Sequence, residues 1–157
     1  MNSSDTTWLD DAQGHAWRSF LRMHTQLMAR LGRQLQSDSD LSLADFDVLV
    51  QLTDIADGRI RVLELAKALR WEKSRLSHHL ARMVGRGLIV REDCPNDRRG
   101  SFAAITAEGR AAIEAAAPRH VDTVRRLVFD ALTPEQVAAF AAVSEQVLNQ
   151  LEAAPAA

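Results

Sequence analysis

The chain has 157 residues, 46% of them hydrophobic and 25% charged, a balance that suits one compact unit with a real core and leaves no room for a separate enzyme domain. No run approaches the roughly 18 uninterrupted apolar residues that span a bilayer, so no membrane partner is expected. The formal charge of −2 hides an asymmetry: positions 70–100 carry eight basic residues (Arg70, Lys73, Arg75, Arg82, Arg86, Arg91, Arg98, Arg99) against four acidic ones (Glu72, Glu92, Asp93, Asp97), a local +4 on a remainder of −6.

Trp17, Phe20, Leu21, His24, Leu27, Met28, Leu31 and Leu35 recur at spacings of three and four, which predicts an amphipathic helix over 13–36. The polar start, Met1 to Asp11, has the character of neither a signal nor a transit peptide, so a cytoplasmic location is expected. Ser42 with Asp45 three residues on is a capping-box signal, opening a helix through Phe46, Leu49, Val50 and Leu52 that Asp57-Gly58 stops. A small strand is plausible over 59–62. Leu65, Ala66 and Leu69 then mark a short helix, and 72–86 a second, with Leu76, Leu80, Met83 and Val84 as its buried stripe and Gly87 as its left-handed terminator.

Two antiparallel strands, 88–91 and 101–105, flank the turn Cys94-Pro95-Asn96-Asp97-Arg98-Arg99-Gly100. Thr106 caps a long helix reaching about 131, interrupted near Pro118, which lacks an N–H to donate and is expected to kink it. Thr133, Pro134 and Gln136 open the last helix, with a cap, a first-turn proline and a capping-box glutamine. The fold class is therefore mainly α with a small β-wing.

On the helix from Glu72, the side opposite the apolar stripe carries Lys73, Ser74, Arg75, Ser77, His78 and Arg82. That set mixes hydrogen-bonding groups able to meet base edges with cations able to meet phosphates. A helix fills the major groove of duplex DNA, and an arginine-tipped hairpin such as 94–100 can enter the minor groove. The bland alternative is a solvated charged face, which is usually built from Glu and Lys rather than short serines.

The order helix, helix, strand, Asp-Arg-Arg turn, strand, long helix, with Ser74-Arg75-Leu76-Ser77, Arg86-Gly87-Leu88-Ile89 and Ile105-Thr106-x-x-Gly109, resembles the MarR family of bacterial transcriptional regulators. The resemblance implies a single domain over 1–157, with a winged helix-turn-helix DNA-binding core at 41–105 and a helical dimerisation region from 13–36 and 106–152. It places Ser74, Arg75, Ser77, His78 and Arg82 on DNA as recognition-helix contacts. It sets Arg99 in the minor groove, oriented by Asp97, and Arg98 on a phosphate. The implied function is a ligand-responsive repressor binding a palindromic operator in double-stranded DNA as a homodimer. Two features depart from the family pattern: Cys94 stands where an acid is common, and Glu72 caps the recognition helix weakly.

Family regulators often answer to small aromatic effectors, and Trp17, Phe20, His24, Phe46 and Trp71 are the candidates to line such a cleft, though plain core packing suits their spacing better. The apolar residues Leu27, Leu31 and Leu35, with Val124, Leu127 and Val128 and with Phe140, Val147 and Leu151, predict the dimer surface. A winged-helix module for protein partners is the alternative function. An enzyme would need Cys94 or one of His15, His24, His78, His79 and His120, but no C-x-x-C or H-x-x-x-H pair exists and Cys94 is flanked by Glu92, Asp93 and Asp97. No catalytic residue, metal or cofactor is expected.

Overall fold

The computed structural model describes residues 7–94 and 97–154; the side chains of 94 and 97–99 lie outside that description. Helix α1 (Asp11–Ser39) outruns the 13–36 stretch at both ends. Its start is fixed by Asp10, whose carboxylate accepts from the Gln13 amide at 2.7 Å while the Gln13 side chain accepts from the Asp10 amide at 3.0 Å. Its end is fixed by Asp40 in the left-handed region at φ 54°. Both are local hydrogen-bonding devices that leave no mark on apolar periodicity.

Helix α2 (Leu43–Thr53) opens on the expected capping box: the Asp45 amide donates to Ser42 Oγ at 3.0 Å and the Ser42 amide to Asp45 Oδ2 at 2.9 Å. Strand β1 (Arg59–Arg61) confirms the short strand, and helices α3 (Val62–Leu69) and α4 (Lys73–Gly85) follow. Strands β2 (Ile89–Cys94) and β3 (Asp97–Ile105) are longer than the apolar pattern indicates and make an antiparallel sheet in the order β1-β3-β2. The extra length runs through polar residues, Glu92 opposite Phe102 and Asp93 opposite Ser101, where the hydrophobic signal has ended but the ladder has not.

Helix α5 (Ala107–Leu127) has Pro118 inside it and continues past it, then gives way to a short 3-10 turn (Phe129–Ala131) and helix α6 (Pro134–Ala153). A proline costs one hydrogen bond, and the remaining ladder carries the helix past it. Contacts divide the chain into two compact units, Met1–Ala116 and Ala117–Ala157.

The core of the first unit gathers Leu35 of α1, Leu49 and Leu52 of α2, Leu65 of α3, Leu76, Leu80 and Met83 of α4, and Ile89 and Ala103 of the sheet. Two sequence expectations change here. Leu31 and Leu35 are buried, so these two residues are not exposed for a dimer surface. Val84 is 38% exposed, because it lies roughly 80° round the helix from Leu76, at the edge of the stripe.

The Ile105-Thr106-x-x-Gly109 motif closes the sheet onto α5. Thr106 Oγ1 lies 2.6 Å from the Gly87 carbonyl and 3.0 Å from that of Leu88, and it accepts from the Gly109 amide at 2.9 Å. A Cβ at Gly109 would stand 2.0 Å from the Leu88 carbonyl oxygen. Only glycine fits that approach.

Candidate nucleic-acid interface

Helix α4 is seated by three fully buried side chains, Leu76, Leu80 and Met83. Gly87, at φ +74°, ends it with a left-handed turn in which the Leu88 amide reaches the Met83 carbonyl at 3.1 Å. On the other side Lys73, Ser74, Arg75, His78 and Arg82 are exposed and Ser77 is half-buried, so all six expected contact residues lie off the buried stripe. The helix has no acidic residue, and its first turn carries Lys73 and Arg75. Cations there oppose the helix dipole, which favours acids at an N-terminus. Glu72 makes no side-chain cap. A face that gives up these stabilising choices is suited to an anionic partner.

A buried polar chain anchors the helix from behind. Asp45 is 4% exposed; besides the Ser42 amide it accepts from Arg86 Nη1 at 2.8 Å and stands 2.9 Å from His79 Nε2. The alignment at His79 falls short of a hydrogen bond, so that approach is electrostatic. Arg86 also donates to the Asp40 carbonyl, tying the end of α4 to the end of α1. Its guanidinium is paired with Asp45 although the side chain is 40% exposed, so part of the basic charge counted in the sequence is already matched by an acid. Arg82 Nη2 lies 2.9 Å from His79 Nδ1. A guanidinium can only donate, so Nδ1 accepts and the ring proton sits on Nε2, toward Asp45. Burial is the largest influence on His79, lowering its pKa below the ordinary 6.5, with Arg82 and Arg75 acting the same way and Asp45 opposing. The imidazole is neutral at pH 7.

Two arginine sites escaped the sequence reading as site residues. Arg91 on β2 donates to Ser77 Oγ at 3.2 Å and to Ser101 Oγ at 3.0 Å, joining α4 to β2 and β3. Arg59 and Arg61 on β1 lie over the Phe102 ring at 3.9 and 5.1 Å, and Arg59 also pairs with Glu92 at 2.6 Å. The Arg-x-Arg alternation of a strand was the available signal for the second. Nothing local in the sequence marks the first. The wing residues Asp97, Arg98 and Arg99 have their backbone in β3, and their side chains, with that of Cys94 and the Pro95-Asn96 turn, lie outside the described residues.

The five aromatic candidates for an effector cleft lie in different surroundings. Trp17, Phe20 and His24 stack along α1 at centroid separations of 5.7 and 6.1 Å, and Trp17 and Phe20 are about half exposed. Phe46 belongs to the core, and Trp71 packs against the core edge and the start of α4. A cavity at the head of α1 is lined by Trp8, Leu9, Asp10, Asp11, Gly14, Trp17 and Arg18, so it includes only Trp17 of the five. Among the described residues no group of three His, Cys, Asp or Glu side chains converges to hold a metal, and no helix is long and apolar enough to cross a membrane.

A family model described as MarR family matches residues 39–100. The chain is 31% identical over 135 residues to the transcriptional regulator HosA of Escherichia coli O111:H-, covering 86% of this chain and 93% of that protein. It belongs to the MarR family. Among solved structures it is similar to Sco3205 of Streptomyces coelicolor in complex with DNA, at 40% identity and a TM-score of 0.89 over 95% of this chain and 93% of that one. AbsC from the same organism matches at 36% identity and a TM-score of 0.88, over 95% of this chain and all of that one. The chain is a DNA-binding transcriptional regulator of the winged-helix type, not an enzyme, and a module for protein partners alone is not favoured. Regulators of this family bind DNA and function as dimers.

Proposed function

We propose that this MarR-family protein is a cytoplasmic repressor that binds a palindromic operator as a homodimer, with the core at 41–105 reading DNA and the helices at 13–36 and 106–152 providing the dimerisation region. The observation that carries the DNA-reading part is α4: an acid-free, cation-bearing face opposite three fully buried side chains. Lys73, Ser74, Arg75, Ser77, His78 and Arg82 meet the major groove. Asp97 orients Arg99 into the minor groove and Arg98 meets a phosphate. The apolar side chains exposed on α6, Phe140, Val143, Val147, Leu148 and Leu151, support self-association.

Two recognition helices on a twofold dimer reach successive major grooves about 34–36 Å apart, so the half-sites lie about one turn apart. An aromatic effector settling on the Trp17, Phe20 and His24 ladder changes that spacing and releases DNA by shifting the population of dimer geometries, a coupling of about 1–3 kcal/mol. The first experiment is a gel shift on the DNA upstream of the protein's own gene. A retarded, salt-sensitive, sequence-selective complex is expected, and binding no tighter than to random duplex overturns the operator reading. Titrating aromatic acids into the complex in wild type and in Trp17→Ala tests the effector site; release alike in both rules it out.

A further inference from the structure

Trp71 stands at the joint of the helix-turn-helix, with the His79 ring and the Arg75 guanidinium against it. Helix α3 closes with Arg70 in the left-handed region at φ 55°, the Arg70 amide on the Lys67 carbonyl at 3.2 Å and the Trp71 amide on the Ala66 carbonyl at 3.0 Å. This double closure fixes the Trp71 backbone one residue before the N-cap of α4. A non-glycine residue holds a positive φ there only when the surrounding structure over-determines it.

The ring is fixed as well. The His79 imidazole meets it edge to face, with centroids 5.5 Å apart and planes at 89°, and His79 is itself held between Asp45 and Arg82. Arg75 lies over the ring, its Cζ 4.2 Å from the centroid. A guanidinium carries five N–H donors, so one held over a ring still has donors left for another partner. A guanine presents O6 and N7 to such donors in the major groove. A surface arginine otherwise disperses over many rotamers, and ordering it opposes binding.

We infer that Trp71 is a specificity-determining positioning residue: it holds the Arg75 guanidinium over its ring so that the remaining N–H donors are presented to a guanine. The inference rests on the reading of Arg75 as a base contact. The pillar runs from the capping box of α2 through Asp45, His79 and Trp71 to Arg75, so the aim of one base-reading group is set by the core.

The test uses the full chain and a duplex selected by the wild type from a random-sequence pool, with the same duplex altered one base pair at a time. Trp71→Leu keeps an apolar side chain and removes the π face; Trp71→Phe restores a ring. Trp71→Leu is expected to lower discrimination at one symmetric G·C position by about fivefold, with binding to random duplex and its salt slope unchanged, and Trp71→Phe to recover most of it. In an Arg75→Ala background Trp71→Leu is expected to add nothing. An equal loss on every sequence, or the same loss with and without Arg75, assigns Trp71 a merely structural role and overturns the inference. If Arg75→Ala loses discrimination and Trp71→Leu keeps it, the inference alone fails. If Arg75→Ala itself keeps discrimination, the base-contact reading fails and the inference with it.

Discussion

Helices α4 and α6 are both amphipathic, yet they use opposite faces. The apolar stripe of α4 is fully buried at Leu76, Leu80 and Met83, so its polar side is the one left available. In α6 no residue is buried, and Leu151 is 66% exposed at the end of a stripe running from Phe140. An amphipathic helix whose apolar side is satisfied within the chain works through its polar side, and one whose apolar side is unsatisfied works through that. Charge choice follows the same division. Helix α4 has cations in its first turn and no cap, whereas α6 has Glu135 in its first turn and a full Thr133/Gln136 capping box. Where the polar side is spent on a partner, local helix stability is given up.

Charging the α6 stripe breaks the comparison most severely. Val147→Asp with Leu151→Asp is expected to halve the mass seen by light scattering while helix content stays, and to weaken operator binding by about 10²–10⁴-fold as the two half-sites lose their linkage. A dimer that survives places the self-association surface elsewhere. The mirror experiment on α4 is Leu80→Ala, expected to lower the unfolding free energy by about 2–5 kcal/mol through lost burial and a cavity. Denaturant melts read it; a loss below about 1 kcal/mol contradicts the tight seating of α4.

Smaller changes sharpen the polar side. Arg99→Ala is expected to cost about 1–3 kcal/mol of DNA binding and to reduce the salt slope by about one unit per half-site. Unchanged affinity removes the wing from the interface. The gentlest test is acidification. Because His79 has its pKa lowered in the fold, the unfolded chain takes up a proton near pH 6.5 that the folded chain refuses. Stability is therefore full above 6.5 and declines as the pH falls below that value. Denaturant melts between pH 5 and 8 are expected to show this slope in wild type and a shallower one in His79→Gln; identical slopes show that His79 does not carry it.

Much of this division was readable in the sequence because it rests on local signals. Ser42 and Asp45, Thr133 and Gln136, and Gly87 each announce a helix end through a short-range hydrogen bond or a positive φ. The recognition face of α4 was legible for the same reason, since one helix period sorts its residues. What escaped depends on partners far apart in the chain. Asp45 reads as half of a capping box, yet it also holds Arg86 across 41 positions. Arg86 therefore looked like unpaired charge, and Leu31 and Leu35 looked like a dimer face although both are buried. No pattern in sequence shows the Trp71 ring between Arg75 and His79.

The central claim, that α4 reads bases from the major groove, is tested most directly by methylation interference on the selected operator duplex with wild type and Arg75→Ala. Guanine N7 faces the major groove. The account predicts that methylation of one symmetry-related guanine per half-site blocks the wild type, and that Arg75→Ala binds more weakly but loses its sensitivity at that guanine alone. Interference that is the same in both proteins, or confined to adenine N3 in the minor groove, would contradict it.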